Sequence, residues 1–166
     1  LNQPTSNTTV IAISPDGKKL IAGFSDKTAR IWNTDGPSVP VVLSGHEAEV
    51  AQVAFSPDGK KVSTSPSIGT TRIWNADGAG APLLLTWRAS STVFSPNGKK
   101  IVTWDGNEAT IWSAEGAKSL ELKGHEGRIR SAACSPDGTK ILTGGDDTTA
   151  RIWNAAGGTL TIDDAW

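Results

Sequence analysis

The chain of 166 residues has a single cysteine, Cys134, and neither methionine nor tyrosine. One cysteine excludes an internal disulfide framework and a cysteine-built zinc site. An excess of charge of one sign is missing too. Sixteen Lys and Arg oppose seventeen Asp and Glu, for a formal charge of −1 and a sequence pI near 6.1. No basic excess draws this surface to phosphate backbones or anionic lipid, so neither nucleic acid nor membrane is expected as a partner. No apolar run approaches the roughly 18 residues of a membrane span. No signal-peptide pattern follows the opening Leu1-Asn2-Gln3, which reads as the start of a trimmed or processed piece. Absence of a leader and an unpaired cysteine make the cytoplasm the default location. Disorder is excluded by 37% hydrophobic residues with almost no net charge. Glycine (18), proline (9) and tryptophan (7) are plentiful instead, the signature of many tight turns and one aromatic used repeatedly.

That repetition decides the fold. Ser-Pro-Asp-Gly at Ser14–Gly17 returns at Ser56–Gly59, as Ser-Pro-Asn-Gly at Ser95–Gly98, and at Ser135–Gly138, with spacings of 42, 39 and 40. Ile31-Trp32, Ile73-Trp74, Ile111-Trp112 and Ile152-Trp153 keep step, with spacings of 42, 38 and 41. Each unit reads as four short strands. In the last, Ile129–Cys134 is the first strand, Lys140–Thr143 the second, Thr149–Trp153 the third and Thr159–Ile162 the fourth. Proline presets φ at the first central turn position, Asp or Asn97 bonds nearby backbone, and Gly accepts positive φ. One such antiparallel sheet cannot bury both faces, whereas sheets stacked radially can.

These residues resemble WD-repeat β-propellers: SPDGxK, a Gly-His before the first strand, Asp between second and third strands, and Arg-Ile-Trp-Asn. Arg72–Gly78 followed by Leu83–Leu85 is similar to prokaryotic repeats found in large bacterial signalling proteins. The resemblance implies an all-β propeller with four blades at approximately 8–43, 49–86, 90–123 and 127–163, within one domain spanning 1–166. It also implies a His–Ser/Thr–Asp–Trp hydrogen-bonded network that locks each blade. The fourth repeat holds every member: His125, Thr143, Asp147 and Trp153. The second holds His46, Thr64 and Trp74, with Ile68 at the Asp position. The first holds Asp26 and Trp32, with Pro4 and Ala22 at the His and Ser/Thr positions. The third holds Thr103 and Trp112, a shifted Asp105, and Trp87-Arg88 in place of Gly-His. Blade four is therefore expected to be the best ordered and blade three the least regular. Family propellers usually close with seven or eight blades, so the expected assembly is a homodimer, two chains joined through their terminal blades in an eight-bladed ring. A longer parent propeller and a strained four-bladed ring remain the alternatives.

Catalysis finds no support in the residues. Asp16, Asp58 and Asp137 share one repeat phase and belong to turns. His46 and His125 occupy equivalent positions in different repeats and do not form a metal pair. Cys134 aligns with Ile13, Phe55 and Phe94 and reads as a small hydrophobe. Neither Asp146-Asp147 nor Asp163-Asp164 has the further oxygen ligands calcium needs. Asn7-Thr8-Thr9 is formally a glycosylation acceptor, and nothing else argues for secretion. No catalytic, cofactor or metal residue is assigned.

By the resemblance, the loops before the first strand and between second and third strands share the top face of the propeller. There the repeats differ: Pro66–Ile68, Trp87–Ala89, Trp104–Glu108 and Asp146-Asp147. On the opposite face Lys18-Lys19, Lys60-Lys61, Lys99-Lys100 and Lys140 recur beside each turn. Variable loops on a rigid scaffold suit specificity. Trp87, Arg88, Trp104 and Asp105 in blade three form the candidate partner-binding patch, a hot-spot composition, unless the two indoles simply fill space. Trp166 either trails free or packs against a neighbour. The expected function is a non-catalytic scaffold binding a protein or peptide on the top face. A carbohydrate-binding propeller and a fragment without independent function are the alternatives.

Overall fold

The structure, a computed structural model, describes residues 6–37, 39–88, 91–157 and 159–160, without side chains for 86–88 and 159–160. Among these there is no helix; sixteen strands form four antiparallel sheets of four. Sheet one comprises β1 (Thr8–Ile13), β2 (Lys19–Phe24), β3 (Ala29–Asn33) and β4 (Val41–Leu43). Sheet two comprises β5 (Val50–Phe55), β6 (Lys61–Pro66), β7 (Thr70–Asn75) and β8 (Leu83–Arg88). Sheet three comprises β9 (Ser91–Phe94), β10 (Lys100–Asp105), β11 (Glu108–Ser113) and β12 (Lys118–Lys123). Sheet four comprises β13 (Ile129–Cys134), β14 (Lys140–Gly145), β15 (Ala150–Asn154) and β16 (Thr159–Leu160). Within every sheet the strands lie side by side in chain order. The chain divides into two compact units, Leu1–Ser90 with sheets one and two, and Ser91–Trp166 with sheets three and four.

The repeated tetrapeptide works as its chemistry requires. At each β1–β2-type turn the Gly N–H donates to the Ser carbonyl: Gly17 to Ser14, Gly59 to Ser56, Gly98 to Ser95 and Gly138 to Ser135. Those glycines have φ of 72°, 68°, 68° and 68°, which a side chain would resist. The Ser hydroxyl donates to the Asp or Asn oxygen, which also accepts the backbone N–H two residues on, as Asp58 does from Lys60 at 3.0 Å. Held this way, Asp137 has its pKa lowered to about 2 by Ser135 and the Thr139 N–H. This explains why Asp16, Asp58, Asn97 and Asp137 recur: they are consumed by turns.

Strand alternation sends every second side chain inward. Ile21, Ile31 and Leu43 of sheet one pack with Val50, Val53, Val62 and Trp74 of sheet two. In the other unit Val102, Ile111 and Leu122 of sheet three pack with Ile129, Ile141 and Trp153 of sheet four. Several elements differ from the sequence reading, β15 for instance running Ala150–Asn154 rather than Thr149–Trp153. The second strand of repeat four continues through Gly145 because Ser131 and Ile129 still pair with Gly144 and Gly145. Trp104 lies inside β10 rather than after it, because Asp105 pairs with Glu108 and the ladder runs to a two-residue turn.

Candidate functional site

The polar interior of sheet four is a continuous chain. Trp153 Nε1 donates to Thr143 Oγ1 at 2.8 Å, and Thr143 Oγ1 lies 2.8 Å from His125 Nε2. His125 Nδ1 is 2.7 Å from Asp147 Oδ2. That carboxylate can only accept, so His125 Nδ1 carries a proton. Asp147 also accepts from the N–H groups of Glu126 and Thr149 and from the Thr149 hydroxyl. Burial pushes the Asp147 pKa up, but His125 and these donors outweigh it and hold the carboxyl well below the usual range. His125 and Thr143 are almost fully buried.

Sheet two repeats the inner half and changes the outer. Trp74 Nε1 donates to Thr64 Oγ1 at 2.8 Å, and His46 Nε2 is 2.7 Å from the same oxygen. Ile68, at the position of Asp147, is exposed. In its place the Arg72 guanidinium reaches back from β7 and lies 2.8 Å from His46 Nδ1, with Glu47 3.3 Å beyond. Arg72 cannot accept, so His46 Nδ1 must, and the ring proton sits on Nε2. Burial and the positive charge of Arg72 lower the His46 pKa to about 4, with Glu47 opposing. Sequence reasoning passed over Arg72. The signal available was Arg at one repeat position in three repeats, Arg30, Arg72 and Arg151. In sheet four the glycine before His125 makes room for the matching arginine: a Cβ on Gly124 would stand 2.8 Å from the Arg151 guanidinium.

The remaining network residues assemble in part. Trp112 Nε1 donates to Thr103 Oγ1 at 2.9 Å in sheet three. In sheet one Asp26 accepts from the Thr28 N–H and hydroxyl and from Arg30, whose guanidinium lies 4.5 Å from the Phe24 ring centroid. Trp32 packs edge-on to Phe24 at 6.2 Å. Pro4, Asp163, Asp164 and Trp166 lie outside the described residues.

Of the candidate blade-three patch, Trp104 and Asp105 are the members whose side chains are described. Trp104 does not project from a rim: it is 7% exposed and belongs to the core with Val102, Ala109, Ile111 and Trp153. Its indole fills space where the other repeats carry small residues, Gly23, Ser65 and Gly144. Asp105 is half-buried at the end of β10. Trp87 and Arg88 fall at the end of β8 rather than in a loop, in the other unit, and their side chains lie outside the described residues, as does Ala89. Cys134 is half-buried, and burial raises its thiol pKa, with Lys100 opposing, so the thiol stays protonated and unreactive. Among the described residues no three His, Cys, Asp or Glu side chains cluster as metal ligands. No helix among the described residues is long and apolar enough to cross a membrane.

The turns between second and third strands are where the sheets differ. Lys27 and Thr148 take positive φ, 69° and 62°, in sheets one and four. Sheet two offers Ser67-Ile68-Gly69, sheet three Gly106-Asn107. Sheet four adds an exposed fork, with Arg130 Nε and Nη2 each 2.7 Å from an oxygen of Asp146.

A family model described as "WD domain, G-beta repeat" matches residues 1–33, 38–75 and 116–154. The ribosome biogenesis protein WDR12 homolog of Drosophila erecta is 27% identical over 151 residues, 88% of this chain and 27% of that protein. Apoptotic protease-activating factor 1 of Rattus norvegicus is 32% identical over 154 residues, 90% of this chain and 12% of its own length. The guanine nucleotide-binding protein subunit beta of Schizosaccharomyces pombe is 35% identical over 69 residues, 41% of this chain and 23% of that subunit. The chain thus spans about a quarter or less of the length of these relatives. With three matched repeats covering well over half of its residues, the chain belongs to the WD40 repeat family.

Proposed function

We propose that the chain is a non-catalytic scaffold that binds a protein or peptide through the turns joining second and third strands. One observation carries this reading. The turns between first and second strands are one hydrogen-bonded device repeated four times, while those between second and third strands share an Asp–Thr turn in sheets one and four and depart from it in sheets two and three. Turns that vary on sheets held by an unvarying device suit recognition of a partner. Exposed Ile68 and the Arg130–Asp146 fork supply an apolar and a charged element there. The family supports the same class, and two relatives are named for ribosome biogenesis and for activation of an apoptotic protease. We propose in addition that two chains associate through their end sheets as a homodimer forming an eight-bladed ring. Nucleic acid is not proposed as a ligand, in keeping with the balanced charge.

The test is quantitative capture of cellular proteins by three immobilised forms. These are the wild type, Ile68→Asp with Arg130→Glu, and Lys18→Glu with Lys60→Glu. The first double variant should lose partners that the second keeps, with equal melting temperatures throughout. Equal capture by all three forms, or loss with both variants, would overturn the recognition surface.

A further inference from the structure

Each sheet has two unlike faces. In sheet one, register places Ala12, Ile21 and Ile31 in one row across the strands. In sheet two, Phe55, Val62 and Trp74 form a row. These rows, an isoleucine face and a tryptophan face, meet inside the first unit. The second unit repeats the pairing, with Val93, Val102 and Ile111 against Cys134, Ile141 and Trp153. Each pairing is fastened at one edge by an ammonium. Lys19 Nζ, at the head of β2, donates to the carbonyl of Ala76, two residues past Trp74, at 3.2 Å. Lys100 Nζ donates to the carbonyl of Ala155, two residues past Trp153, at 2.5 Å. Two independent copies of one interface define what each kind of face accepts.

Sheets one and four each leave one of these faces exposed. On the tryptophan face of sheet one, Ile11 and Ile13 are 65% and 61% exposed, with Leu20 and Trp32 half-buried. The matching Val53, Val62 and Trp74 of sheet two are buried. On the isoleucine face of sheet four, Leu142 is 47% exposed and Ile152 half-buried, where Ile21 and Val102 are fully buried. There Ala133, Leu142 and Ile152 help line an apolar hollow of about 250 Å³, and Lys140 lines it too. Lys140 is the repeat equivalent of Lys19 and Lys100, and its ammonium is exposed, with no such carbonyl contact among the described residues. Thr34, two residues past Trp32, is equivalent to Ala76 and Ala155. Its N–H donates to the Lys18 carbonyl just as theirs donate to Lys60 and Thr139, so its own carbonyl is presented in the same way.

We propose that the open face of sheet four receives sheet one of a second copy, with Leu142 and Ile152 packed on Leu20 and Trp32. At the edge, the Lys140 ammonium donates to the Thr34 carbonyl of that copy. The contact is head-to-tail: each chain offers one face of each kind, and like faces do not pair. This deepens the two-chain reading above and rests on it.

Light scattering behind a sizing column tests it on the full chain, using Ile11→Glu, Leu142→Glu and the combined variant. Both substituted side chains are exposed, so the fold is retained, which circular dichroism and thermal unfolding verify. The wild type should have at least twice the 17.3 kDa chain mass. Each single variant should run as one chain, and their equimolar mixture should regain a two-chain species. The combined variant should pair with neither. Lys140→Met, which keeps the apolar stem, should raise the dissociation constant about tenfold. A monomeric wild type overturns both this interface and the two-chain reading. A Leu142→Glu form that stays paired overturns this interface while leaving the two-chain reading intact, and so does a mixture that fails to associate. An unchanged dissociation constant in Lys140→Met overturns the ammonium contact. The recognition surface stands or falls separately, on capture by the turn variants.

Discussion

Sheets two and four share the same inner Trp–Thr–His arrangement, with matching distances and the same tryptophan donor, yet the hydrogen bonds on either side of the imidazole run in opposite directions. In sheet four the tryptophan N–H, the threonine and the imidazole lead outward to a carboxylate, and Asp147 accepts at the end. In sheet two the sequence of bonds begins outside, at the Arg72 cation, and the imidazole passes its Nε2 proton inward. Two donors, Trp74 and His46, then converge on the one hydroxyl of Thr64. The lesson is that the repeat specifies where the hydrogen bonds lie, while the group outside the imidazole decides which way they point. An anion there completes a donor-to-acceptor series; a cation there requires a neutral imidazole.

The largest effect expected on this contrast is loss of the anion. Asp147→Ala leaves His125 Nδ1 and the N–H groups of Glu126 and Thr149 without their acceptor, and should cost about 3 kcal/mol by urea unfolding. A cost under about 1 kcal/mol would mean the sheets do not differ in how they are anchored.

Acid should separate the two sheets next. The folded pKa of His46, about 4, lies below its ordinary 6.5, so the unfolded chain takes the proton first. The stability His46 contributes is complete above pH 6.5 and is lost as pH falls towards 4, on the order of 2 kcal/mol. Asp147 is held low, so its contribution persists through that window and fails only below the usual carboxylate range. With two histidines in the chain, NMR should resolve two imidazoles, a neutral His46 protonated at Nε2 and a His125 protonated at Nδ1. Titration of His46 near 6.5, or Nδ1 protonation of both rings, would erase the contrast.

Removing the cation should act more gently. Arg72→Met should destabilise by about 1 kcal/mol and let the His46 pKa rise toward its ordinary value, both read from one NMR titration series. An unmoved His46 would assign its low pKa to burial alone. Smallest of all, Arg130→Ala breaks an ion pair that is solvent-exposed on both sides, and should leave the melting temperature unchanged. A clear drop would show that the fork in sheet four is structural rather than free for a partner.

The strands and the turn chemistry were legible in the residues, because each rests on local spacing that recurs, whereas the His125–Thr143–Asp147–Trp153 set was implied by the family resemblance. Trp104 was not legible. Whether an indole at a strand end points in or out depends on how far the ladder continues, and Asp105 pairing with Glu108 carried it inward. Arg72 was missed for a related reason. A long side chain can reach across strands to substitute for a residue absent elsewhere, and repeat alignment compares positions rather than reach. The two unlike faces of each sheet were hidden as well, since strand alternation shows that faces differ but not which one covers which.

Every strand here pairs only with strands adjacent in the chain. A sheet can therefore close as soon as its fourth strand leaves the ribosome, without waiting for distant sequence. Contacts so local favour rapid folding for a β protein. Synthesis then adds one finished sheet at a time, and the newest presents its isoleucine face to whatever follows.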